Sequence, residues 1–500
     1  SWDEAFHHLN GNFRADYVKS LGKLKNYNVE SVVRFYPGLY DTIHFVIANF
    51  FVKILSVKYL IEIKHLINIT FSFFTLYGLF LISKKLFNKQ VGYFAVLLCI
   101  ANPFFFGHMS MNPKDAVICF PLIWFAYYTY CYCQNFNIIS KKSFLYLIGA
   151  ALFMGLGLGI RPTFIIIAFP IIFSALVYIL KNSKYPIGKF SIKIVSHIFV
   201  FIIISIFLMI LTWPQIHEQS FPLLYEVFFK SLNWFGPTLG LLNGEFYETA
   251  NTPRTFFLTF FLFRIPIYIL LATIILVFSL MTSLKFYKKK FENFTSKMLV
   301  VLFTFLFPLI AAIILKVKIY DGIRLFLFIM PTLSLLGSLG VYYVFENFQN
   351  NKYAKIIGVG IAASFLLFLS RFIMITPYHY DYSNFLYFKF SNTQNLYEHD
   401  YWGTSYKELI KSINKKTNLN NIKVTTCAAD TTGIKYLLNR YMPGKAILVP
   451  IKEADYIMMI NRLGYDTVTK QSCFDKYPGE EIITVKRLGV KLSVLRKLKK

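Results

Sequence analysis

The feature that most constrains this chain is a series of apolar stretches, each close to a bilayer's thickness when helical, that recurs through its first three quarters. A backbone in hydrocarbon must satisfy its own hydrogen bonds, so about 20 consecutive, mainly apolar residues read as a membrane-spanning helix. Ten stretches qualify, near residues 66–83, 91–106, 115–133, 144–160, 163–180, 194–212, 265–283, 298–315, 323–345 and 355–373. Composition agrees, since 56% hydrophobic residues against 16% charged is not the balance of a soluble chain. The stretch 41–62 is apolar as well, but Lys53, Lys58 and Glu62 interrupt it, which predicts an interfacial helix lying on the membrane.

The net charge of +28 would suit a nucleic-acid binder only if it formed one basic face. Instead, many of the Lys and Arg residues sit in short tracts between apolar runs. Alternate loops carry Lys84, Lys85 and Lys89; Lys141 and Lys142; Lys181, Lys184, Lys189 and Lys193; Lys285, Lys288, Lys289 and Lys290; and Lys352, and this set is expected to face the cytoplasm. The charge reports topology, and no nucleic acid is implied. Ten spans return the chain to its starting side, so residues 1–40 and everything after about 376 are expected on the extracytoplasmic face.

The expected organisation is a transmembrane domain at 1–376 followed by a small soluble extracytoplasmic α/β domain at 377–500. The first contains an outer loop at 1–65 and a long outer loop at 213–264. The second shows strand-like runs at 422–427, 446–450, 455–460 and 481–486 and a helix-like stretch at 404–416. Cys99, Cys119, Cys131 and Cys133 lie in or beside apolar segments and read as packing residues, without the neighbours a zinc site needs. Cys427 and Cys473 share the extracytoplasmic domain, where oxidising conditions allow a disulfide.

Ionisable groups at membrane mouths are costly unless paired or used. Asp3-Glu4, followed by His7, His8 and Asn10, places adjacent carboxylates ahead of an aromatic stretch; alone, such a pair is usually a solvated surface feature. Asn112-Pro113-Lys114-Asp115, preceded by Gly107 and His108, sits at the mouth of a span, where Asp115 also suits a helix N-cap. Arg34, Arg161 and Arg324 recur at outer mouths, and their guanidinium forks suit phosphate oxygens, although headgroup snorkelling explains each one singly. An aromatic-rich segment at 377–403 ends in Glu398-His399-Asp400-Tyr401-Trp402-Gly403.

Taken in order and on one membrane side, these features resemble the GT-C membrane glycosyltransferases, within them the protein O-mannosyltransferase and lipid A aminoarabinose transferase group, over nearly the whole chain. Asp3-Glu4 is similar to that group's Asp-Glu motif, and Asn112-Pro113-Lys114-Asp115 to its second acidic motif. Tyr36-Pro37, Trp213-Pro214, Tyr320-Asp321-Gly322 with Arg324, and Asp400-Tyr401-Trp402-Gly403 resemble landmarks of bacterial members. Relatives carry a span immediately before the Asp-Glu motif, so the resemblance implies a further helix ahead of Ser1. Leu325 follows Arg324 where relatives often have His.

The resemblance implies a bacterial inner-membrane enzyme that moves a sugar from a polyprenyl-phosphate donor to a protein, lipid or glycan acceptor, with inversion, on the extracytoplasmic face. Asp3 is the expected base, Glu4 its aid or substitute, and Asp115 the third acidic group, with a divalent cation (Mg or Mn) as a candidate at Asp3, Glu4 and Asp115. Arg34, Lys114, Arg161 and Arg324 are the expected phosphate-binding cations. His7, His8, Tyr36, His108, Asn112 and Asp321 are candidate donor or acceptor contacts. A transporter or lipid flippase, or a non-catalytic envelope assembly protein, is the alternative class. Transporters, however, place ionisable groups near span centres, which these stretches almost lack.

Overall fold

The computed structural model describes residues 3–23, 33–137, 141–183, 187–219, 222–227, 239–349, 351–390, 397–416, 419–427, 429, 431–460 and 472–498. Two helices precede the first span, α1 (Asp3–Lys19) and α2 (Leu39–Ile54). Then follow α3 (Leu60–Leu86), α4 (Lys89–Ile100), the short α5 (Pro103–His108), α6 (Cys119–Asn135), α7 (Lys141–Ile160), α8 (Phe164–Asn182) and α9 (Ile187–Ile210). A hairpin of β1 (Leu239–Leu242) and β2 (Glu245–Glu248) leads to α10 (Phe256–Arg264), α11 (Ile267–Thr282), α12 (Phe294–Ile314), α13 (Ile329–Asn347) and α14 (Lys352–Met374).

Each of the ten apolar stretches contains an α-helix, but the helices are not equally long. Among the described residues, seven helices, α3, α7, α8, α9, α12, α13 and α14, are each long and apolar enough to cross a membrane, and α10 with α11, bent by 115° at the break, makes an eighth if the pair is one span. The shortfall has local causes. Asn102 caps the Phe104 N–H and Pro103 starts a new helix, which ends α4 after 12 residues. Residues 113–118 form turns, so α6 begins only at Cys119 and runs 17 residues. The interfacial stretch is likewise divided. α2 stops at Ile54, Ser56 caps the N–H of Lys58 in a 3-10 turn, and Glu62 falls in the first turn of α3.

Lipid-facing and core-facing helices separate by composition. α13 is the most enclosed span and α14 the least, with 78% and 6% of their apolar windows buried. α13 carries Ser334, Gly337, Ser338 and Gly340, and a Cβ on Gly340 would fall 2.0 Å from the Ala272 carbonyl oxygen of α11. Only glycine permits that backbone approach, the usual means by which helices associate where no hydrophobic effect drives them.

The C-terminal part folds as expected. Strands β3 (Ile422–Cys427), β4 (Ala446–Leu448), β5 (Tyr456–Ile460), β6 (Gly479–Arg487) and β7 (Val490–Leu498) form one sheet in the order β4-β3-β5-β7-β6. β3 is parallel to β4 and β5, while β7 is antiparallel to β5 and β6. α15 (Tyr406–Lys416) buries Tyr406, Leu409, Ile410 and Ile413, the one-face spacing of an amphipathic helix, and α16 (Thr431–Tyr441) follows β3. β7 escapes a sequence reading because Lys491 and Arg496 break its apolar text; both side chains pair with Glu481 on β6.

Cys427 and Cys473 form a disulfide with a Cα separation of 5.8 Å, and the four membrane cysteines are buried and free. The bridge closes a loop with a sequence separation of 46 residues. Cross-linking a loop of that length restricts the unfolded chain, so Cys473→Ser should lower the stability of this domain by about 2–4 kcal/mol. Thermal unfolding with and without reductant reads the effect, and identical curves would mean that the bridge contributes nothing.

Candidate active site

The second acidic motif folds as a tight turn after α5. Asn112 Oδ1 accepts from the N–H groups of Lys114 (3.1 Å) and Asp115 (2.8 Å), the geometry of an Asx turn, while its Nδ2 donates to Asp115 Oδ2 at 3.1 Å. This directs a 2% exposed carboxylate inward, where two cations from distant segments meet it. Arg161, just beyond α7, donates through Nη2 to Oδ1, and Arg324 donates through Nη1 to Oδ2 at 3.4 Å. Arg324 also pairs with Asp321 at 3.0 Å, and its guanidinium lies 4.7 Å from the Trp402 ring centre. Asp321 and Gly322 both adopt positive φ, so the chain reverses sharply and brings Arg324 back onto Asp115. Burial alone would raise the Asp115 carboxyl, but Arg161 and then Arg324 hold it below the usual carboxylate range.

Two further expected residues join this cluster. The Lys114 ammonium sits 3.0 Å above the Tyr36 ring centre, a cation-π contact. His108 is buried, and desolvation lowers its imidazole to about 3, so the ring is neutral. Since Asn112 uses its amide hydrogens, His108 Nδ1 accepts from Nδ2 (3.4 Å), and Nε2–H donates to the Tyr401 hydroxyl at 3.0 Å.

α1 docks partly through Arg14 and Asp41, which sequence reasoning passed over. The wholly buried Arg14 donates to the carbonyl oxygens of Tyr36 (2.6 Å), Pro37 (2.7 Å) and Thr212 (2.6 Å) and to Asn10 Oδ1 (2.8 Å). Gly38 has a positive φ with Arg14 against it, so a side chain there would displace the guanidinium. Asp41 accepts from His7 Nδ1 at 3.0 Å and from Asn10 Nδ2. Glu4 accepts from His65 Nε2 at 3.1 Å, and Lys64 interacts electrostatically with both Glu4 and Asp41. The His8 ring packs 5.0 Å from Phe45. Asp3 is the first residue of α1, and its side chain lies outside the described residues. Arg34, an expected phosphate-binding cation, donates to Gln219 at 2.6 Å and pairs with Glu226 at 3.4 Å.

Burial pushes the Asp41 carboxyl up, yet His7, Lys114 and Asn10 together outweigh it and hold the group at about 2. A depressed carboxylate adds stability above its unfolded pKa and loses it as pH falls through the folded value. Melting temperature should therefore drop between pH 4 and pH 2, by the equivalent of about 2 kcal/mol. Asp41→Asn should remove that part of the acid transition; an unaltered profile would mean that the contacts of Asp41 with His7, Lys114 and Asn10 carry no weight.

Beside the cluster lies a cavity of about 220 Å³. Ile166 and Ile167 of α8 and Pro308, Ala311 and Leu315 on the α12 side make its walls apolar, while Tyr36, Arg161, Lys318 and Tyr320 supply its polar groups. Among the described residues, the buried Nε of Arg161 has no hydrogen-bond partner. A divalent cation does not fit at Asp115, because its two oxygens already face guanidinium groups. Among the described residues no group of three or more His, Cys, Asp or Glu could hold a metal.

Residues 43–213 match the family model described as dolichyl-phosphate-mannose-protein mannosyltransferase. The resemblance to the GT-C membrane glycosyltransferases is borne out. This glycosyltransferase match runs from α2 to Trp213 and takes in Lys114, Asp115 and Arg161. Crystal structures of ArnT from Cupriavidus metallidurans are also similar. The apo form is 8% identical over 98% of this chain and 93% of that one, with a TM-score of 0.48. The form bound to undecaprenyl phosphate is 10% identical over 97% and 92%, with a TM-score of 0.46. No curated protein sequence matches the chain.

Proposed function

We propose that this membrane glycosyltransferase moves a sugar from a polyprenyl-phosphate donor to an acceptor hydroxyl or phosphate on the extracytoplasmic face, with inversion at the anomeric carbon. The observation that carries the reading is the apolar cavity between α8 and α12 that abuts Arg161 of the Asp115–Arg161–Arg324 cluster. An apolar wall with cations at its end suits an amphiphile whose tail lies in hydrocarbon and whose phosphate sits at headgroup height. The family matched over 43–213 is described by a donor of this kind, a dolichyl-phosphate-linked mannose. The Cys427–Cys473 disulfide supports an oxidising compartment for the C-terminal domain.

In this reading Asp3 takes the proton of the acceptor as the acceptor oxygen attacks the anomeric carbon. The bond from that carbon to the phosphate oxygen breaks on the opposite face, and the polyprenyl phosphate leaves with the electron pair. Arg161, Arg324 and Lys114 stabilise the charge that develops on it, so no protein acid is needed for the departing group. Glu4 orients the acceptor. Asp115 acts by holding the two guanidiniums at one height.

Mass spectrometry of lipid-linked sugars and envelope glycans after deletion of the gene tests the proposal. One lipid-linked sugar should accumulate while one glycan modification disappears. Unchanged profiles in both pools would overturn it.

A further inference from the structure

The segment after residue 396 opens the C-terminal part of the chain, yet its side chains reach the acid turn between α5 and α6. Asp400 is fully buried and has φ +47. Its Oδ1 accepts from the Tyr380 hydroxyl and from the N–H (2.9 Å) and hydroxyl (3.1 Å) of Thr404; its Oδ2 accepts from the N–H (3.0 Å) and hydroxyl of Ser405. Five donors on one carboxylate fix the backbone that carries the next two residues, Tyr401 and Trp402, which are themselves buried.

Those two residues lead to the same atom. Tyr401 takes the hydrogen bond of His108 Nε2, and His108 in turn takes that of Asn112 Nδ2, which also donates to Asp115 Oδ2. Trp402 stacks on Arg324, which donates to Asp115 Oδ2 from the other side. Asp115 Oδ1, by contrast, accepts from Arg161. Tyr380, the anchor of Asp400, sits against α5 only because Gly107 is there: a Cβ on it would fall 2.1 Å from the Tyr380 nitrogen.

We infer that Asp400 is a positioning residue which, through Tyr401 and Trp402, sets the placement of Asn112 and Arg324 on Asp115. The inference deepens the proposed transfer reaction and rests on the reading of Arg324 as a cation that stabilises the leaving phosphate. A purely local role is the competing account, because Asp400 also caps the backbone just ahead of α15; loss of a cap lowers stability without selecting one kinetic step.

The test measures kcat and KM for lipid-linked sugar extracted from the source membranes, with the full-length protein in lipid nanodiscs. Trp402→Leu should lower kcat about tenfold with little change in KM, and Trp402→Phe, which keeps an aromatic face for Arg324, should restore kcat to within about threefold. Asp400→Asn should lower kcat to a similar extent, and combining it with Trp402→Leu should cost less than the product of the two single losses, because the two residues share the Trp402 branch while Asp400 also acts through Tyr401. Equal kcat in the wild type and Trp402→Leu, or independent losses in the double variant, would overturn the inference and leave the transfer reaction standing. Wild-type protein that consumes no lipid-linked sugar would overturn both. Should Asp400→Asn fail to fold, the Trp402 pair decides.

Discussion

Asp115→Asn should reduce sugar transfer by about 10²- to 10³-fold and destabilise the fold by about 3 kcal/mol. The carboxylate is 2% exposed and lies between the guanidiniums of Arg161 and Arg324, whose side chains are only 20% and 11% exposed. Removing its charge leaves two like charges close together with less water than they need, and truncating one member of a buried ion pair costs several kcal/mol for that reason. The two cations would then separate, and a phosphate would meet them at the wrong spacing. Turnover at saturating donor and thermal unfolding check the two halves of the effect. Normal turnover in a folded Asp115→Asn protein would remove this residue from the machinery.

Asp3→Asn should lower kcat by about 10³-fold or more while leaving stability and the KM for the proposed polyprenyl-phosphate donor close to wild type. General-base catalysis accounts for losses of this order, because an amide cannot take the acceptor proton. Glu4→Gln should cost less, since Glu4 is engaged by His65 at 3.1 Å. Retained activity in Asp3→Asn together with loss in Glu4→Gln would transfer the base to Glu4. Retained activity in both would separate α1 from the chemistry altogether.

The membrane region was legible because hydrocarbon leaves a chain few options. Every apolar stretch of the required length contains an α-helix, and the errors fall where an Asn-Pro step or a tight turn shortens it, as at Asn102-Pro103. The acid turn and Arg161 were legible for a related reason, since charges at span mouths are costly enough to demand an explanation. Asp41 was hidden because it lies inside an apolar stretch, and a lone carboxylate there carries no pattern; only its pairing with His7 gives it meaning. Arg14 was invisible for the same reason, its partners lying up to 198 positions away. Arg34 read as a site cation from its motif, and its partners Gln219 and Glu226 lie in the segment after α9, which nothing in the sequence around Arg34 announces. The stacking of Trp402 on Arg324 joins two motifs that the sequence presents separately.

The most direct test of the central claim is donor consumption by the purified protein. Full-length protein in lipid nanodiscs is incubated with the lipid-linked sugars and acceptors extracted from its own membranes, and polyprenyl phosphate is quantified by mass spectrometry. The account predicts that one lipid-linked sugar falls while an equal amount of polyprenyl phosphate appears. Lipid-linked sugars that stay unchanged while the folded protein and its acceptors are present would contradict it.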